Sequence, residues 1–578
     1  MGMMRQDVPA GRSRVYDAIV VGSGISGGWA AKELTENGLD VLMLERGRPL
    51  QHGIDYITEH RPPWEFELRG RDDRHEVAED QFLQSQADPV TEATRHFFVN
   101  DRENPYVFDE DKPFLWIRGY HLGGRSLMWA RQSYRLGDID FTANAREGVG
   151  VDWPIRYADL APWYDHVERF AGISGRAEGM AQLPDGQFLP AMPFNAGETR
   201  VKEGIERAFP ERRLTIGRSA VLTQPHNGRA ACHYCGPCDR GCSVGAYFST
   251  QSATLPAAVA TGRLTVRTHS IVHSVMYDEA LDVATGVRVI DAQTHEDLEF
   301  RGRMIFLCAS AFASTQILLM SKTPRFPNGL GSSSGELGHN IMDHHFKVSV
   351  SGDLSGMEDR YYAGRRPNGI YMMRFRNVDE RSRHPDFLRG YGYQGSASRE
   401  GWGRGVTEVG IGVELKSRLR SPGGWRFSMT AFGEILPRHD NFLRLDDYTT
   451  DAWGLPSLRI HCTLGENELA MRRDMADAGA EMLEAAGCTD VSASDNDYRP
   501  GEGIHEMGTA RMGRDPRTSV LNGNNQLHDV PNVFVTDGGC MTSAACQNPS
   551  LTYMAITARA ANFAVEARRR GELPVAPG

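Results

Sequence analysis

The feature that most constrains the fold is a glycine turn between two apolar runs near the start of the chain. Residues 16–21 form an apolar run of strand length, residues 25–37 have the composition of a helix, and a second apolar run, 41–44, ends in Glu45. A G-x-G-x-x-G turn between a strand and a helix, with an acidic residue about twenty positions further on, is typical of dinucleotide-binding βαβ units. The sequence therefore predicts a Rossmann-like domain that contains the N-terminal segment.

Each residue of this motif has a distinct predicted role. Gly22 permits the tight turn, Gly24 lets a pyrophosphate approach the backbone, and Gly27 lets the helix pack closely on the strand. Glu45 is placed to accept a hydrogen bond from a ribose hydroxyl. The alternative is an ordinary glycine turn, and the motif alone does not separate FAD from NAD.

The C-terminal end adds a second cofactor contact. A short apolar run ends in Asp537 and Gly538, and a predicted helix follows Asn548 and Pro549, where proline suits the first helical turn. A helix N-terminus beside a flavin favours the anionic reduced ring because its free N–H groups attract negative charge. Since the chain has no second G-x-G-x-x-G between a strand and a helix, one non-covalently bound FAD is preferred to a nicotinamide cofactor.

Four of the nine cysteines lie within eleven residues, in the pattern C-x2-C-x2-C-x3-C: Cys232, Cys235, Cys238 and Cys242. This compact run favours an iron–sulfur cluster over a zinc ribbon, which needs two separated pairs of ligands. A zinc site and a pair of disulfides remain alternatives. The usual ferredoxin run continues with proline, whereas Ser243 follows here. The other cysteines are predicted to be core residues: Cys308, Cys462, Cys488, Cys540 and Cys546.

Composition and charge exclude several classes of protein. The formal net charge of −11 over 578 residues argues against a nucleic-acid partner. The longest apolar runs are of strand length, so we expect no transmembrane helix. The N-terminus has no apolar signal core, and we therefore expect that the chain does not direct its own export.

The C-terminal half shows alternating runs that are typical of an antiparallel sheet, followed by a long helix predicted over residues 466–486. The runs cover residues 406–415, 425–436, 441–445 and 457–463. Aromatic residues in segment 389–395, with Trp402 and Trp425, are interpreted either as stacking faces for a sugar or as packing residues.

The chain resembles the glucose–methanol–choline (GMC) oxidoreductases from about residue 16 to residue 570. Besides the two ends, the resemblance rests on segments 118–129, 152–164, 311–321 and 337–344. It implies an α/β plus α+β architecture, with a Rossmann-like FAD-binding domain interleaved with an antiparallel-sheet substrate domain. It also implies that Gly123 and Gly124 contact the flavin.

The resemblance assigns the catalytic pair to His505, in segment 503–513, and Asn548, in segment 547–552. Alcohol oxidation needs a base for the hydroxyl proton, and histidine has a suitable pKa. An amide opposite that base can donate a hydrogen bond to the developing alkoxide.

The cysteine run is similar to that of GMC-type sugar dehydrogenases with a 3Fe-4S cluster. The spacing of three ligands in that subgroup selects Cys232, Cys238 and Cys242 and leaves Cys235 as a non-ligand or a fourth ligand, with a 4Fe-4S cluster as the alternative. A cluster beside FAD would accept electrons one at a time, which favours a dehydrogenase over an oxidase.

The predicted FAD-binding domain comprises residues 14–60, 110–160, 225–345 and 500–572, with the cluster loop at 230–244. The predicted substrate domain comprises the remaining segments, residues 61–109, 161–224 and 346–499.

The resemblance points most closely to bacterial glucoside 3-dehydrogenases, which oxidise the C3 hydroxyl of glycosides. The alternatives are oxidation of glucose at C1, of gluconate at C2 or of a polyol, and a flavin electron-transfer protein without its own substrate. Expected partners are a small subunit that carries the export signal and a cytochrome or other electron acceptor. Co-export would place the protein in the periplasm; otherwise it is cytoplasmic.

Overall fold

Two sheets with different strand directions organise the chain. The computed structural model describes residues 14–68, 74–361, 366–401, 404, 410–421, 423–496 and 498–576. The strands are β1 (Val15–Val21), β2 (Val41–Leu44), β3 (Val107–Phe108), β4 (Ile173–Ser174), β5 (Phe188–Leu189), β6 (Leu214–Ile216), β7 (Leu264–Arg267), β8 (Ser270–Asp278), β9 (Val283–Asp291), β10 (Asp297–Leu307), β11 (His344–Leu354), β12 (Ile370–Met372), β13 (Tyr391–Arg399), β14 (Trp425–Glu434), β15 (Phe442–Thr450), β16 (Pro456–His461), β17 (Thr489–Asp495) and β18 (Val533–Val535).

The helices lie between these strands and at the C-terminal end. They are α1 (Ile25–Glu36), α2 (Arg74–Asp80), α3 (Asp138–Phe141), α4 (Ala143–Glu147), α5 (Tyr157–Ala171), α6 (Ala196–Ala208), α7 (Leu255–Ala260), α8 (Ala311–Met320), α9 (Val413–Arg420), α10 (Glu466–Ala485) and α11 (Ser550–Arg569). Within the described part of the chain, no helix is both long and apolar enough to cross a membrane.

The first sheet has a parallel centre and an antiparallel extension. Its strands run in the order β7-β2-β1-β10-β9-β8, and β18 also pairs with β10. The pairs β1–β2, β1–β10, β2–β7 and β10–β18 are parallel, whereas β8, β9 and the first half of β10 are antiparallel. The strands at the centre therefore come from three distant parts of the sequence.

Strand β1 shows why this sheet has a buried centre. Ile19 and Val21 pack into one hydrophobic cluster, while Ala18 and Val20 pack into another on the opposite face. Because successive side chains of a strand point to opposite faces, a strand covered on both sides has a continuous apolar sequence. Helices α1 and α11 pack against each other beside this sheet.

The second sheet is antiparallel, in the order β17-β11-β14-β13-β12-β6. One face packs against α6 and α10, with methionines of α10 in the hydrophobic cluster. The predicted combination of a Rossmann-like sheet with an antiparallel-sheet domain is confirmed. The domain boundaries stay a prediction.

Two predictions for the C-terminal half were wrong in detail. Strands β15 and β16 are not part of the second sheet. They form a separate three-stranded sheet with β3, which pairs with β16 in parallel. Residues 406–409 of the predicted strand 406–415 lie outside the described residues. Val413 begins helix α9 rather than continuing a strand. Of the two interpretations of the aromatic residues, packing holds for Trp425, which is buried in the cluster under the second sheet. Trp402 lies outside the described residues.

Candidate active site

A cavity of about 460 Å³ is lined by residues from both ends of the chain and from the second sheet. It is bordered by the glycine turn before α1, by the segment that contains Gly124, by the turn after β18 and by side chains of β13 and β14. Of the residues predicted from sequence, it brings together Gly22, Gly24, Glu45, Gly124, Asp537, Gly538, His505 and Asn548. Gly27, Gly123 and Pro549 do not line it.

The glycine turn forms one end of the cavity. Gly22 has φ +92°, and a Cβ there would lie 2.5 Å from the carbonyl oxygen of Cys308. A Cβ at Gly27 would lie 1.9 Å from the carbonyl oxygen of Gly22, so this glycine allows the helix to pack on the turn. Gly24 precedes α1 without a side-chain cap. A Cβ built at Gly24 would have no protein atom within 4 Å, so the space on that side is open. The first N–H groups of α1 are therefore left for an anionic group in the cavity.

Glu45 is buried at the end of β2 and joins two glycine segments. It accepts hydrogen bonds from the Ser23 N–H (3.0 Å) and the Gly47 N–H (2.8 Å), and also from the Ser23 hydroxyl. Ser23 Oγ in turn accepts the Gly123 N–H at 2.8 Å. Burial raises the pKa of Glu45. Since a carboxylate has about four acceptor positions, Glu45 retains capacity for one further donor.

The second glycine segment closes over the first. Gly123 has φ +88° and leaves no room for a Cβ, which would meet the side chain of Gln251 at 1.9 Å. Gly124, at φ +49°, would place a Cβ 3.5 Å from the Cα of Gly24. The two glycine turns thus lie against each other at the cavity wall.

The turn after β18 and helix α11 each bring one buried polar group to the cavity. Asp537 accepts hydrogen bonds from the Ser314 hydroxyl at 2.5 Å and from the Gly539 N–H at 3.0 Å. Burial raises the pKa of Asp537 to about 6. The Tyr553 hydroxyl is buried, lines the cavity and has no hydrogen-bond partner among the described residues. An unpaired buried hydroxyl at this position fits a bound polar cofactor.

His505 lies at the other end of the cavity and contacts a second histidine that sequence reasoning did not assign. Its Nδ1 is 2.9 Å from Nδ1 of His344, and the two rings meet edge to face. His344 Nε2 donates to the carbonyl oxygen of Ala545 at 2.8 Å. Burial, followed by His344 and Arg125, holds the pKa of His505 well below 6.5, so its imidazole is uncharged at neutral pH. Burial also lowers the pKa of His344 to about 4.

Asn548 is oriented by Gln394 of β13. The Gln394 side-chain N–H donates to Asn548 Oδ1 at 2.5 Å, and both residues line the cavity with His505. Because its oxygen is engaged, the amide of Asn548 has its two N–H donors left for a ligand. Gln394 belongs to the segment interpreted as a sugar contact, whereas Tyr391 and Tyr393 of that segment are core residues.

The loop that carries His505 is held by one buried carboxylate. Asp343 Oδ1 accepts the N–H groups of His344 (2.8 Å) and His505 (3.0 Å), and Oδ2 accepts those of Gly501 (2.9 Å) and Gly503 (3.2 Å). Burial, followed by Glu506, raises the pKa of Asp343 to about 7. Ile504, next to His505, has φ +58°, a conformation that costs energy in a β-branched residue. The hydrogen bonds to Asp343 therefore hold the backbone of His505 in place despite the strained conformation of Ile504.

The cavity wall near His505 and Asn548 is aromatic. Phe346 and Phe432 stack with ring centroids 5.4 Å apart, and both line the cavity. They extend from neighbouring parts of the second sheet, on the face opposite the one that packs on α10. This end combines apolar walls with a few polar groups, as is usual for small-molecule sites.

The four clustered cysteines lie on a loop beside the cavity. Cys235 is exposed, while Cys232, Cys238 and Cys242 are half-buried, and all nine cysteines of the chain are free thiols. Cys232 Sγ accepts the Tyr234 N–H at 3.4 Å, and burial raises the pKa of Cys232 to about 11. In the part of the chain that the structure describes, no three His, Cys, Asp or Glu side chains are gathered into a metal-binding group.

The residues present fit FAD. Two glycine turns and the uncapped start of α1 provide room and N–H donors for a pyrophosphate, Glu45 has acceptor capacity, and Tyr553 presents an unpaired hydroxyl. The fold and the site together define an FAD-binding oxidoreductase. The chain belongs to the GMC oxidoreductase family, since family models described as GMC oxidoreductase match residues 16–346 and 437–557. The predicted family is thereby confirmed.

Several characterised relatives align over nearly the whole chain. A 2-methyl-1,2-propanediol dehydrogenase of Mycolicibacterium austroafricanum is 29% identical over 95% of this chain and 94% of that protein. A paromamine 6'-oxidase of Streptomyces fradiae is 28% identical over 95% of this chain and 91% of that protein. The fructose dehydrogenase large subunit of Gluconobacter japonicus is 25% identical over 96% of this chain and 98% of that protein. This chain is therefore similar to oxidoreductases of sugars and polyols.

The solved structure of an Aspergillus oryzae RIB40 formate oxidase variant has the same fold, with a TM-score of 0.60 and 14% sequence identity, covering 97% of this chain and all of that one.

Proposed function

We propose that the protein is an FAD-dependent dehydrogenase that oxidises a hydroxyl of a sugar or glycoside, with the ring C3 hydroxyl as the position of attack. The observation that carries the proposal is that neutral His505 and the amide of Asn548 line the same cavity as the glycine turns. A base and a hydrogen-bond donor on one substrate oxygen are the groups that alcohol oxidation requires.

The chain's own residues handle the hydroxyl proton and the substrate oxygen. When bound, FAD supplies the acceptor for the hydride that leaves the carbon. His505 accepts the hydroxyl proton, and because it is already uncharged at neutral pH it needs no prior loss of a proton. The Asn548 amide donates to the oxygen as negative charge develops on it. Phe346 and Phe432 exclude water and provide flat apolar faces that match the C–H faces of a sugar ring.

An anaerobic titration tests the substrate class. Methyl glucoside has a blocked C1, so bleaching of the oxidised flavin absorption by this glycoside indicates oxidation at another carbon. The matched control is methyl 3-deoxyglucoside, which we expect to leave the flavin oxidised. Bleaching by both compounds would contradict oxidation at C3, and bleaching by neither would contradict the glycoside as substrate.

An acyclic diol is a second candidate substrate. Similarity to the 2-methyl-1,2-propanediol dehydrogenase over 95% of this chain favours it. The same titration with 2-methyl-1,2-propanediol distinguishes the two: reduction by the diol with no response to methyl glucoside would identify a polyol dehydrogenase.

We also propose that Cys232, Cys238 and Cys242 hold a 3Fe-4S cluster, with Cys235 as a fourth ligand in a 4Fe-4S alternative. The donor set consists of thiols only, as such clusters require, and its spacing supports the proposal. The loop also lies beside the cavity: Arg131 lines the cavity and its guanidinium donates to the Cys238 carbonyl oxygen at 3.3 Å. A bound cluster would supply one-electron transfer toward an external acceptor, such as a cytochrome.

Iron and acid-labile sulfide analysis of anaerobically purified protein tests this proposal. Cys238→Ser should lower the iron content and leave the FAD content unchanged. Cys488→Ser is the matched control, because Cys488 is buried in the core away from the cysteine loop. Wild-type protein with full FAD and no iron would refute the cluster.

The cellular arrangement is a further proposal. We propose that a small subunit with an export signal carries the folded chain to the periplasm. Co-purification from the native host, with fractionation of periplasm and cytosol, tests both the partner and the location. Recovery of the protein without a partner in the cytosolic fraction would contradict both.

A further inference from the structure

The hydrogen bonds around His344 determine where the proton of His505 lies. A backbone carbonyl can only accept, so the contact between His344 Nε2 and the Ala545 oxygen (2.8 Å) places a proton on His344 Nε2. In a neutral imidazole the other nitrogen is then an acceptor. His344 is neutral at ordinary pH because burial lowers its pKa to about 4. Nδ1 of His344 is therefore unprotonated and directs its lone pair at His505.

The 2.9 Å contact between the two Nδ1 atoms then requires a donor on the other side. That donor is the Nδ1–H of His505, so the single proton of the neutral His505 ring lies on Nδ1. Nε2 of His505 is consequently an unprotonated acceptor. It has no hydrogen-bond partner among the described protein residues, and the ring lines the cavity.

We infer that His344 is a positioning residue that fixes the tautomer of His505 and thereby keeps Nε2 of His505 free to accept the substrate proton. This inference rests on the proposed function of His505 as the base. In the reaction the O–H bond of the substrate breaks and an N–H bond forms at Nε2, while the Nδ1–H bond to His344 is retained. The resulting imidazolium still donates to His344, so the same hydrogen bond stabilises the charge that forms.

The surroundings hold His344 in this role. Asp343 binds the backbone N–H groups of both His344 and His505, which fixes the separation of the two residues. Ala545, whose carbonyl oxygen accepts the hydrogen bond from His344 Nε2, has φ +58°, and its own N–H donates to Glu434 at 2.5 Å. Four segments far apart in the sequence, at residues 343–344, 434, 505 and 545, therefore meet in one set of hydrogen bonds.

The neighbouring residue provides a matched control. His345 follows His344 on β11, is equally buried and points toward α10, where a Cβ on Gly433 would lie 2.6 Å from its Nε2. Neither ring nitrogen of His345 has a hydrogen-bond partner among the described residues. Replacing this histidine removes the same ring from the same strand without touching His505.

The test compares three variants of the FAD-loaded enzyme by stopped-flow flavin reduction and by NMR of ¹⁵N-labelled histidine. His344→Leu removes the acceptor, and we expect reduction to slow by roughly 10-fold or more, within the roughly 100-fold or greater contribution of the base itself. His344→Asn places an amide oxygen near the position of Nδ1, and we expect it to recover most of the rate. His345→Leu should reduce at the wild-type rate.

The NMR arm does not depend on any substrate. The His505 signal, assigned by its loss in His505→Ala, should show the proton on Nδ1 in wild type and in His344→Asn, and on Nε2 or on both nitrogens in His344→Leu. A proton on Nε2 of His505 in the wild type would overturn the inference, as would unchanged reduction in His344→Leu. If no sugar or polyol reduces the flavin while His505 carries its proton on Nδ1, the proposed function fails and the tautomer assignment stands.

Discussion

The contact between Gln394 and Asn548 supports a double-mutant cycle that measures how the amide is positioned. Gln394→Met keeps the length of the side chain and removes the N–H that donates to Asn548 Oδ1 at 2.5 Å. Without that donor the Asn548 amide is free to rotate and present its oxygen to the substrate oxygen, where it would repel the developing charge. Asn548→Ala removes the amide altogether.

The magnitudes follow from the number of hydrogen bonds lost. One neutral hydrogen bond contributes about 1 kcal/mol net, which corresponds to about a fivefold change in rate. Loss of a donor to the developing oxyanion costs about 100- to 1,000-fold. We therefore expect Gln394→Met to slow flavin reduction about fivefold and Asn548→Ala to slow it by at least about 100-fold. Because Gln394 acts through Asn548, we expect the two effects not to add, with a coupling energy of about 1 kcal/mol.

The assay is anaerobic stopped-flow reduction of the flavin at saturating concentrations of a reducing substrate, with FAD content measured for each variant. Ser396→Ala is the control, since Ser396 is an exposed residue two positions further along β13. A wild-type rate in Gln394→Met would refute the reasoning. An equal fivefold loss in both the wild-type and the Asn548→Ala backgrounds would show instead that Gln394 contacts the substrate directly.

Three further predictions follow from the site. Gly24→Ala should leave the unfolding midpoint of the apoprotein nearly unchanged, because the added Cβ meets no protein atom within 4 Å. It should lower FAD occupancy, because that Cβ takes the space predicted for the pyrophosphate. Full occupancy would contradict the pyrophosphate contact. The ¹⁵N signals of His505 should show no protonation from pH 8 down to the ordinary histidine pKa of 6.5, since burial depresses the pKa of His505. This readout separates His505 from Asp343, whose carboxyl has a pKa of about 7. Protonation of His505 above pH 6.5 would contradict a neutral, buried base. Asp343→Asn should lower the free energy of unfolding, measured by urea denaturation, by about 2–4 kcal/mol. The reason is that the new amide N–H replaces one of the two carboxylate oxygens that accept buried backbone N–H groups. An unchanged midpoint would show that the carboxylate does not hold the loop.

The sequence predicted the parts of the site that are local in the chain. The turn from Gly22 to Glu45 depends on spacing within about 25 residues, and the structure has the helix and strand bounds within one or two residues of the predicted ones. The pairing of His505 with Asn548 came from the family resemblance, and the structure places both at one cavity.

Contacts between distant segments could not be predicted in the same way. His344 lies 161 residues before His505, and Gln394 lies 154 residues before Asn548. His344 belongs to the family-like segment 337–344 and Gln394 to the segment 389–395, but neither pattern indicates which residue is the partner. Alternation along β13 could have been used to separate Tyr391 and Tyr393, which face the core, from Gln394, which faces the cavity. The sequence left packing and sugar stacking open for Trp425 because an aromatic residue has the same local pattern in a core as in a binding site.

The order of strands in the first sheet has a consequence for synthesis of the protein. Strand β1 pairs with β10, and β10 pairs with β18, which follows β1 by about 500 residues. At about 5–20 residues per second, a ribosome needs about 10–45 s to proceed from the end of β10 to the start of β18. Until then β10 has an open edge in an apolar nascent chain, and a product truncated before residue 533 keeps that edge and lacks Asn548. During that interval this part of β10 is open to wrong strand pairing, and the sheet is complete only when the C-terminal segment has been made.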